Sequence, residues 1–328
     1  MNRAPIAVLN EHPDWQRRLY AELDRRGVAW EELSLHSLAL DPDAPRRHEL
    51  VLNRASPSAW KREHASAIFF AQSALAHFEA QGCRVVNGTR AYALETSKVL
   101  QTLLLRRLGV SHPKTRFANS ADAVRAAAEG LGYPIVVKPN IGGSGAGIVR
   151  FDDRDALEAW LTDAPSFGVD GQVLVQEFHP AEGGHIVRVE MLGERHLYSV
   201  RIYPEGKDFN LCPADICQVG AAPAVPAAPI EGDAFEMCAV SAPAKGLRIE
   251  RHDESPEAID DARRIAAAGD LDVCGVEYLV STRDGRRYVY DVNALSNFVR
   301  DAETVVGFDP TRDFVDWLLT ERDRAARP

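Results

Sequence analysis

The order of apolar runs and amphipathic stretches predicts an α/β protein. The chain opens with an apolar run, "PIAVLN", followed by an amphipathic stretch that ends at Gly27 and by a second run, "VAWEELSL". This is the pattern of a strand, a helix and a strand. The same order returns in "HELVLNRA", "SAIFFAQSALAHFEAQG" and "CRVVNG". We therefore predict a small parallel-sheet domain over residues 1–93, without the glycine fingerprint of a dinucleotide-binding domain.

A leucine-rich stretch, residues 94–109, predicts a core-facing helix that ends at Gly109. The leucines at helical spacing are Leu100, Leu103, Leu104 and Leu108. The run "VLVQEF" predicts a further strand, and "HIVRVEML", "ERHLYSVRIYP" and "KDFNLCPADI" favour antiparallel strands on a second sheet. The fold class is thus α/β with an α+β C-terminal half, and we place the domain boundaries at 94–176 and 177–328.

An Ala/Pro tract interrupts the C-terminal half. The segment "GAAPAVPAAP" cannot form a regular helix or a central strand, because proline lacks a backbone N–H. We interpret residues 213–247 as an irregular excursion. A helix from Ser255 to Gly269, two strands and a final amphipathic helix follow it.

The amino-acid composition and the net charge argue against several classes of function. Of the 328 residues, 45% are hydrophobic and 26% charged, which is typical of a globular protein, and no apolar run approaches the length of a membrane span. A net charge of −10 argues against nucleic-acid binding and favours a small-molecule substrate. Without a visible targeting peptide, we expect a cytoplasmic protein with reduced cysteines. A zinc site at Cys212, Cys217, Cys238 and His252 is an alternative, but it lacks CxxC pairs.

The stretch "IVVKPNIGGSGAGIVRF" carries a glycine-rich loop. Its glycines are Gly142, Gly143, Gly145 and Gly147. They lead into a second strand, "IVRF", whereas the phosphate loops of Walker and Rossmann proteins open a helix. Successive glycines let backbone N–H groups converge on an anion, and the alternative is a flexible surface turn.

Lys138 ends the apolar strand that precedes this loop. A lysine there is costly unless its ammonium group reaches an anion or solvent. A phosphate is the expected partner, and a side chain that extends to water is the alternative.

Two strands near the C-terminus carry Glu277, Asp291 and Asn293. A two-residue turn at Asp284-Gly285 would turn Glu277 away from Asp291, whereas a three-residue loop with Gly285 in the left-handed conformation would place the two carboxylates opposite each other. We predict the three-residue loop. Facing carboxylates repel unless cations lie between them, and these oxygen ligands suit Mg²⁺. The alternative is a solvated acidic strand face.

The ordered set "VVKP" with its glycine loop, "VLVQEF" and "GVE … DVN" resembles the ATP-grasp superfamily. Within it, the chain from "VLNRASPS" through Phe298 is most similar to the RimK-type carboxylate-amine ligases. The resemblance implies an ATP-grasp fold with an N-terminal pre-ATP-grasp domain. It also implies that ATP and two Mg²⁺ ions are bound, with Mn²⁺ as a possible substitute metal.

The resemblance also assigns roles to individual residues. The phosphate-binding group comprises Lys98, Lys138 and the loop residues Gly142, Gly143, Ser144, Gly145 and Gly147. The adenosine-binding group comprises Gln176, Glu177 and Phe178 at the adenine and Glu182 at the ribose. The metal ligands are Glu277, Asp291 and Asn293, and the transferring phosphoryl group is stabilised by Arg188 and Arg201. Substrate contacts are implied at Arg54 and Ser56. The alternative for Lys98 and the three arginines is an ordinary solvent-facing role.

Three departures from the family pattern concern the acceptor. His185 stands where an acidic residue is common, Asp291 replaces a glutamate, and the Ala/Pro tract stands where a basic, histidine-containing segment is expected. We predict a ligase that joins a carboxylate, such as that of an amino acid or short peptide, to an amine, and we expect a homo-oligomer. A kinase of the same fold, acting on a hydroxyl, and a non-catalytic nucleotide-binding protein are the alternatives.

Overall fold

The computed structural model describes residues 4–143, 145–203, 248–299 and 301–326. The predicted strand "KDFNLCPADI", the excursion at 213–247, Ser144 and three of the five cysteines (Cys212, Cys217 and Cys238) lie outside the described residues. No helix within the described ranges is long and apolar enough to cross a membrane.

The first sheet is parallel, as predicted, with strand order β2-β1-β3-β4. Its strands are β1 (Ile6–Asn10), β2 (Trp30–Ser34), β3 (Leu50–Arg54) and β4 (Arg84–Val86). Its helices are α1 (Arg17–Arg25) and α2 (Ala65–Ala80), with 3₁₀ turns at Pro13–Gln16 and Pro57–Arg62.

The second sheet is antiparallel, with order β5-β8-β6-β7. Its strands are β5 (Thr115–Ala118), β6 (Ile135–Pro139), β7 (Val149–Phe151) and β8 (Val173–Glu177). Helices α5 (Ala121–Ala128) and α6 (Arg154–Thr162) accompany it, and the sheet has its own core around Val137, Leu157 and Val175. The glycine-rich loop joins β6 to β7, so the prediction that it connects two strands is confirmed.

The third sheet is antiparallel, with order β11-β10-β9-β12-β13. Its strands are β9 (Ile186–Leu192), β10 (Arg195–Tyr203), β11 (Arg248–His252), β12 (Val273–Val280) and β13 (Arg287–Asn293). The remaining helices are α3 (Thr89–Glu95), α4 (Lys98–Leu108), α7 (Pro256–Gly269), α8 (Ala302–Val306) and α9 (Pro310–Ala325). One core joins this sheet to the first through Leu52, Val200 and Val315, and a second core lies between its other face and α4 and α7.

The leucine-rich helix differs from its prediction. It is two helices, α3 and α4, and Leu100 and Leu103 are 42% and 44% exposed. The buried face of α4 instead contains Gln101, whose amide donates to the Val292 carbonyl at 2.9 Å and accepts from the Val292 N–H at 3.2 Å. Because β13 is an edge strand, these backbone groups need partners, and Gln101 supplies them. These hydrogen bonds require Gln101 to face β13, and the side of α4 that carries Leu100 and Leu103 is therefore exposed to solvent.

The hairpin of β12 and β13 pairs Glu277 with Asp291, as predicted, but the structural feature that sets this register differs from the predicted one. Gly285 is left-handed, with φ of 68°, yet the loop has four residues, 282–285, so the predicted three-residue loop is wrong. A β-bulge at Tyr290 supplies the missing shift of one residue.

Candidate active site

One cavity lies where the three sheets meet beneath the glycine loop, and it collects most of the predicted site residues. Those that line it are Arg54, Ser56, Lys98, Lys138, Gly142, Gly143, Gly145, Arg188, Glu277, Asp291 and Asn293. They come from β3, α4, β6 and its loop, β9, β12 and β13. Only the folded chain brings these distant segments together.

The bulge at Tyr290 arranges the acidic side of the cavity. Because a bulge turns two successive side chains to the same face, Tyr290 lies beside Asp291, and its hydroxyl donates to Glu277 Oε2 at 3.1 Å. The Asn293 amide donates to Glu277 Oε1 at 3.3 Å. Two carboxylates and an amide oxygen on paired strands form a hard donor set, and this set fits Mg²⁺.

The two facing carboxyl groups have opposite pKa shifts. Burial and the nearby charge of Asp291 raise the pKa of Glu277 to about 7, although Arg188 opposes the shift. Burial acts in the same direction on Asp291, but Lys98 and Lys138 outweigh it and hold the pKa of Asp291 below its usual range. The lysines thus keep one carboxylate of the pair ionised.

Two lysines face these carboxylates from different elements. Lys98 is the first residue of α4, and its ammonium group is paired with Asp291. Lys138 is 4% exposed, and its Nζ donates to the Tyr290 carbonyl at 3.3 Å. Asn140, just after β6, fixes the start of α4, because its side-chain oxygen accepts from Val99 N–H at 3.0 Å. This contact holds the two lysines on one side of the cavity.

Arg188 is clamped on its strand by three partners. It donates to Glu190 Oε1 at 2.6 Å, to Glu277 Oε1 at 2.7 Å and to Ser296 Oγ at 3.1 Å. Burial would lower its pKa, but the charges of Glu190 and Glu277 raise it well above the usual arginine value. Gly275, opposite Glu190 in the register, leaves the space that the guanidinium fills.

The glycine loop is packed closely against the first domain. A Cβ on Gly143 would lie 2.4 Å from Ser58 Cβ and 2.8 Å from Ser58 Cα, so only glycine fits. Gly147 has a φ of +77°, and a Cβ there would lie 2.8 Å from Pro139 Cγ. Gly143 is thus required by the close approach of Ser58, and Gly147 by its left-handed conformation and by the Pro139 ring.

Arg54 and Ser56 lie at the cavity wall and have internal partners. Arg54 is 7% exposed and donates to Gln16 Oε1 at 2.9 Å, to the Ser296 carbonyl at 3.1 Å and to the Asn297 side chain. Ser56 caps the 3₁₀ turn that follows it by accepting from Ser58 N–H at 3.1 Å. Arg54 therefore connects the first sheet to the segment after β13.

The remaining predicted residues do not line this cavity. They are Gly147, Gln176, Glu177, Phe178, Glu182 and Arg201, while Ser144 lies outside the described residues. Glu177 accepts from the Lys114 N–H at 2.8 Å and contacts His179 at 2.9 Å. Gln176 donates to Thr115 at 2.7 Å, and Glu182 is exposed. Their implied roles at the adenosine and the phosphoryl group stay predictions.

Several residues of the site were missed at the sequence level. Glu95, at the end of α3, lines the cavity, and removal from water together with the charge of Asp291 raises its pKa to about 7. Gln16 and Asn140 hold Arg54 and the start of α4 through side-chain contacts that no local pattern reveals. Glu190 could have been found from the sequence, because it shares a strand face with Arg188 in an otherwise apolar run.

Comparison with known proteins shows which proteins this chain resembles. Residues 108–209 match the family model described as the C-terminus of D-ala D-ala ligase. A "Probable alpha-L-glutamate ligase" of Marinobacter nauticus is 31% identical over 204 residues, which cover 60% of this chain and 66% of that protein. Another with the same description, from Thioalkalivibrio sulfidiphilus, is 28% identical over 265 residues, covering 80% and 75% of the two chains. The chain covers from 45% to 66% of the length of the first several relatives.

Solved structures agree with this fold over nearly the whole chain. The ATP-grasp ligase PsnB, complexed with minimal precursor, Mg and ADP, has a TM-score of 0.63 at 20% identity and covers 98% of this chain and 100% of its own. A RimK domain ATP-grasp protein from Sphaerobacter thermophilus has a TM-score of 0.63 at 22% identity and covers 96% and 99%. The predicted ATP-grasp fold is confirmed, and the chain is similar in sequence to RimK-like alpha-L-glutamate ligases.

Proposed function

We propose that the protein is an ATP-dependent carboxylate-amine ligase, which forms an amide or peptide bond through an acyl phosphate and releases ADP and phosphate. The observation that carries the proposal is the cavity itself. Beneath a glycine-rich loop, Lys98, Lys138 and Arg188 line the same cavity as the oxygen-bearing side chains of Glu277, Asp291 and Asn293. Phosphoryl transfer depends mainly on positioning and on neutralisation of charge, and this arrangement supplies both.

Each group has a role in that reaction. Lys98 and Lys138 bind the phosphates of ATP, and the backbone N–H groups of the glycine loop close over them. Glu277, Asp291 and Asn293 hold Mg²⁺, which would supply Lewis-acid neutralisation of the phosphate oxygens. Arg188 is held rigidly and is aimed at the charge that develops on the phosphoryl group and the acyl phosphate.

The reaction proceeds in two balanced steps. A carboxylate oxygen of the substrate attacks the γ-phosphorus of ATP, the bond to the β–γ bridging oxygen breaks, and ADP leaves with the electron pair. The amine nitrogen then attacks the acyl carbon, phosphate leaves, and the nitrogen gives up a proton. The descriptions of the relatives suggest an amino acid such as glutamate as one substrate, and the PsnB complex suggests that a peptide can be the other.

Hydroxylamine trapping tests the proposal. The protein is incubated with Mg-ATP, hydroxylamine and single candidate acids, beginning with L-glutamate and glutamate-ending peptides, while ADP, free phosphate and hydroxamate are measured. If the protein is a ligase, ADP, free phosphate and hydroxamate should form in equal amounts, and only when a suitable acid is present. A stable phosphorylated product without free phosphate would favour the kinase. That alternative is considered because Asp291 stands where the ligase family usually has a glutamate. ATP binding without ADP formation across the panel would favour the non-catalytic reading.

A further inference from the structure

A second cluster of metal-binding side chains lies outside the cavity, in the first domain. Glu11, His36 and His64 each place one ligand atom so that the three atoms lie within 4.8 Å of one another. Glu11 is 3% exposed, whereas His36 is exposed and His64 is half-buried. The cluster therefore has a carboxylate at its floor and an open mouth toward solvent.

The geometry of the three side chains is close to that of a metal centre. Ligand atoms around a tetrahedral Zn²⁺, with bonds of about 2.0–2.1 Å, lie about 3.3 Å apart. His64 Nδ1 is already 3.4 Å from Glu11 Oε2. The His36 ring stands edge to face with the His64 ring, with 4.1 Å between their centroids, and the His36 side chain is exposed.

Two hydrogen bonds prepare the ligands. His36 Nε2 lies 2.9 Å from the Glu11 carbonyl oxygen. A carbonyl only accepts, so Nε2 carries the proton and the neutral ring has its lone pair on Nδ1. The Glu11 carboxylate is paired with Arg62 through both oxygens, since Arg62 Nε also donates to Oε2 at 3.3 Å, and Oε2 lies 3.4 Å from His64 Nδ1. A backbone carbonyl behind a histidine and a charged partner behind a carboxylate are the usual supports of metal ligands.

The place of the cluster in the fold is a second, independent reason. Glu11 follows β1, His36 follows β2, and His64 follows the turn after β3, so all three lie beyond the carboxyl ends of parallel strands. In the order β2-β1-β3-β4 the chain turns from one side of β1 to the other, and ligands in such sheets bind at that switch point.

We propose that Glu11, His36 and His64 form a binding site for one divalent transition-metal ion of the Zn²⁺ class, separate from the magnesium ligands. One carboxylate and two imidazoles are borderline ligands that prefer Zn²⁺, Co²⁺ or Ni²⁺ to Mg²⁺. Three protein ligands with an open fourth position leave room for a water molecule or another small ligand. Arg62 stays paired with Glu11 and moderates the affinity, because its charge opposes that of the ion.

Titration with Co²⁺ and Zn²⁺ tests the site directly. The full-length chain, freed of purification tags and treated with a chelator, is titrated at pH 8 without nucleotide, and binding is measured by calorimetry and by the visible absorption of Co²⁺. We expect one ion per chain, with absorption strong enough to indicate four-coordinate Co²⁺ and with no effect of excess Mg²⁺. His36→Gln and His64→Gln should each weaken binding at least tenfold. Both side chains reach solvent, so these variants should fold.

Matched variants exclude other sites. His77→Gln changes another histidine of the same domain and should leave binding unchanged. Asp291→Asn removes a magnesium ligand, and a triple Cys212→Ser, Cys217→Ser, Cys238→Ser variant removes the thiols of the alternative zinc site; neither should change the affinity. Unchanged binding in both His36→Gln and His64→Gln, or binding lost only in the cysteine variant, would overturn the proposal. Because no ATP is present, this outcome is independent of the ligase assay.

Discussion

Substituting alanine for Gly275 tests the clamp around Arg188. A Cβ at this position would lie 2.4 Å from Nη2, 2.5 Å from Cζ and 2.7 Å from Nε of Arg188, whereas ordinary contacts begin near 3.4 Å. The guanidinium must therefore move by about 1 Å, and its contacts to Glu190 and Glu277 at 2.6 and 2.7 Å leave it no room to do so. Gly275→Ala must separate the strands or break an ion pair.

The expected cost follows from these two outcomes. Overpacking a filled core costs about 1–3 kcal/mol. Losing one partner of a buried ion pair costs about 3–5 kcal/mol, because the remaining charge stays buried. Since both routes are open, we expect Gly275→Ala to lower the free energy of unfolding by about 3 kcal/mol and to reduce ADP formation sharply, because Arg188 would be displaced.

A double-mutant cycle measures the contact itself. Arg188→Lys keeps a positive charge between the two carboxylates but lacks the planar group that fills the space at Gly275. In that background Gly275→Ala should cost less than about 1 kcal/mol, which gives a coupling of about 2 kcal/mol in urea unfolding followed by circular dichroism. Equal costs in the two backgrounds, within about 0.5 kcal/mol, would refute the reasoning.

Three further outcomes are expected. Lys138→Ala and Asp291→Ala should each abolish ADP formation while the circular dichroism spectrum stays native, because both side chains serve the cavity and not the core. Leu104→Ala should lower the unfolding free energy by about 2–5 kcal/mol, whereas Leu103→Ala should change it by less than about 0.5 kcal/mol, because only Leu104 is buried. The contribution of Glu22 should depend on pH: its pKa is lowered to about 2, so its stabilisation is complete above pH 4.5 and is lost as pH falls toward 2.

Each of these has a control. Lys114→Ala, an exposed lysine outside the cavity, should keep full ADP formation, and full activity in Lys138→Ala or Asp291→Ala would overturn the site assignment. Equal losses at the two leucines would contradict the exposed face of α4. Hydrogen bonds from Arg25, and also from Arg26, lower the pKa of Glu22, so the difference in stability between the native protein and Glu22→Gln should shrink only below pH 4.5. A difference that grows with acidity would contradict this sign.

The fold and the pairing of Glu277 with Asp291 could be predicted from the sequence, because both depend on local sequence patterns. Strand and helix periods, with glycines at the ends, identify the parallel sheet and the antiparallel hairpin. The facing of Glu277 and Asp291 was predicted correctly, but for the wrong reason, because a bulge has no signature in "RRYVYDVN". Tyr290 fits a regular strand equally well.

What the sequence could not provide are contacts between distant segments. Gln101 looks like an exposed helix residue until β13 is known to be the edge that it completes. Leu100 and Leu103 follow an ideal apolar stripe and are nevertheless exposed, because the edge strand decides which face of α4 is buried. Arg54 has the composition of a substrate-binding loop, but its partners come from segments nearly 40 and more than 240 residues away.

The bulge at Tyr290 divides the β12–β13 hairpin into two parts, and the alternation of side chains between the two faces is set separately in each part. Between the bulge and the tip, Tyr288 and Val289 alternate between the two core clusters as in any strand. Beyond it, the alternation is reset, so that Asp291 lines the cavity and Val292 lies in the core on the side of α4. The tip of the hairpin can therefore gain or lose a residue without moving the carboxylates. Deletion of Tyr290 would restore a regular hairpin in which Asp291 still lies opposite Glu277 on the cavity face, so the acidic pair would lose only the hydroxyl that donates to Glu277.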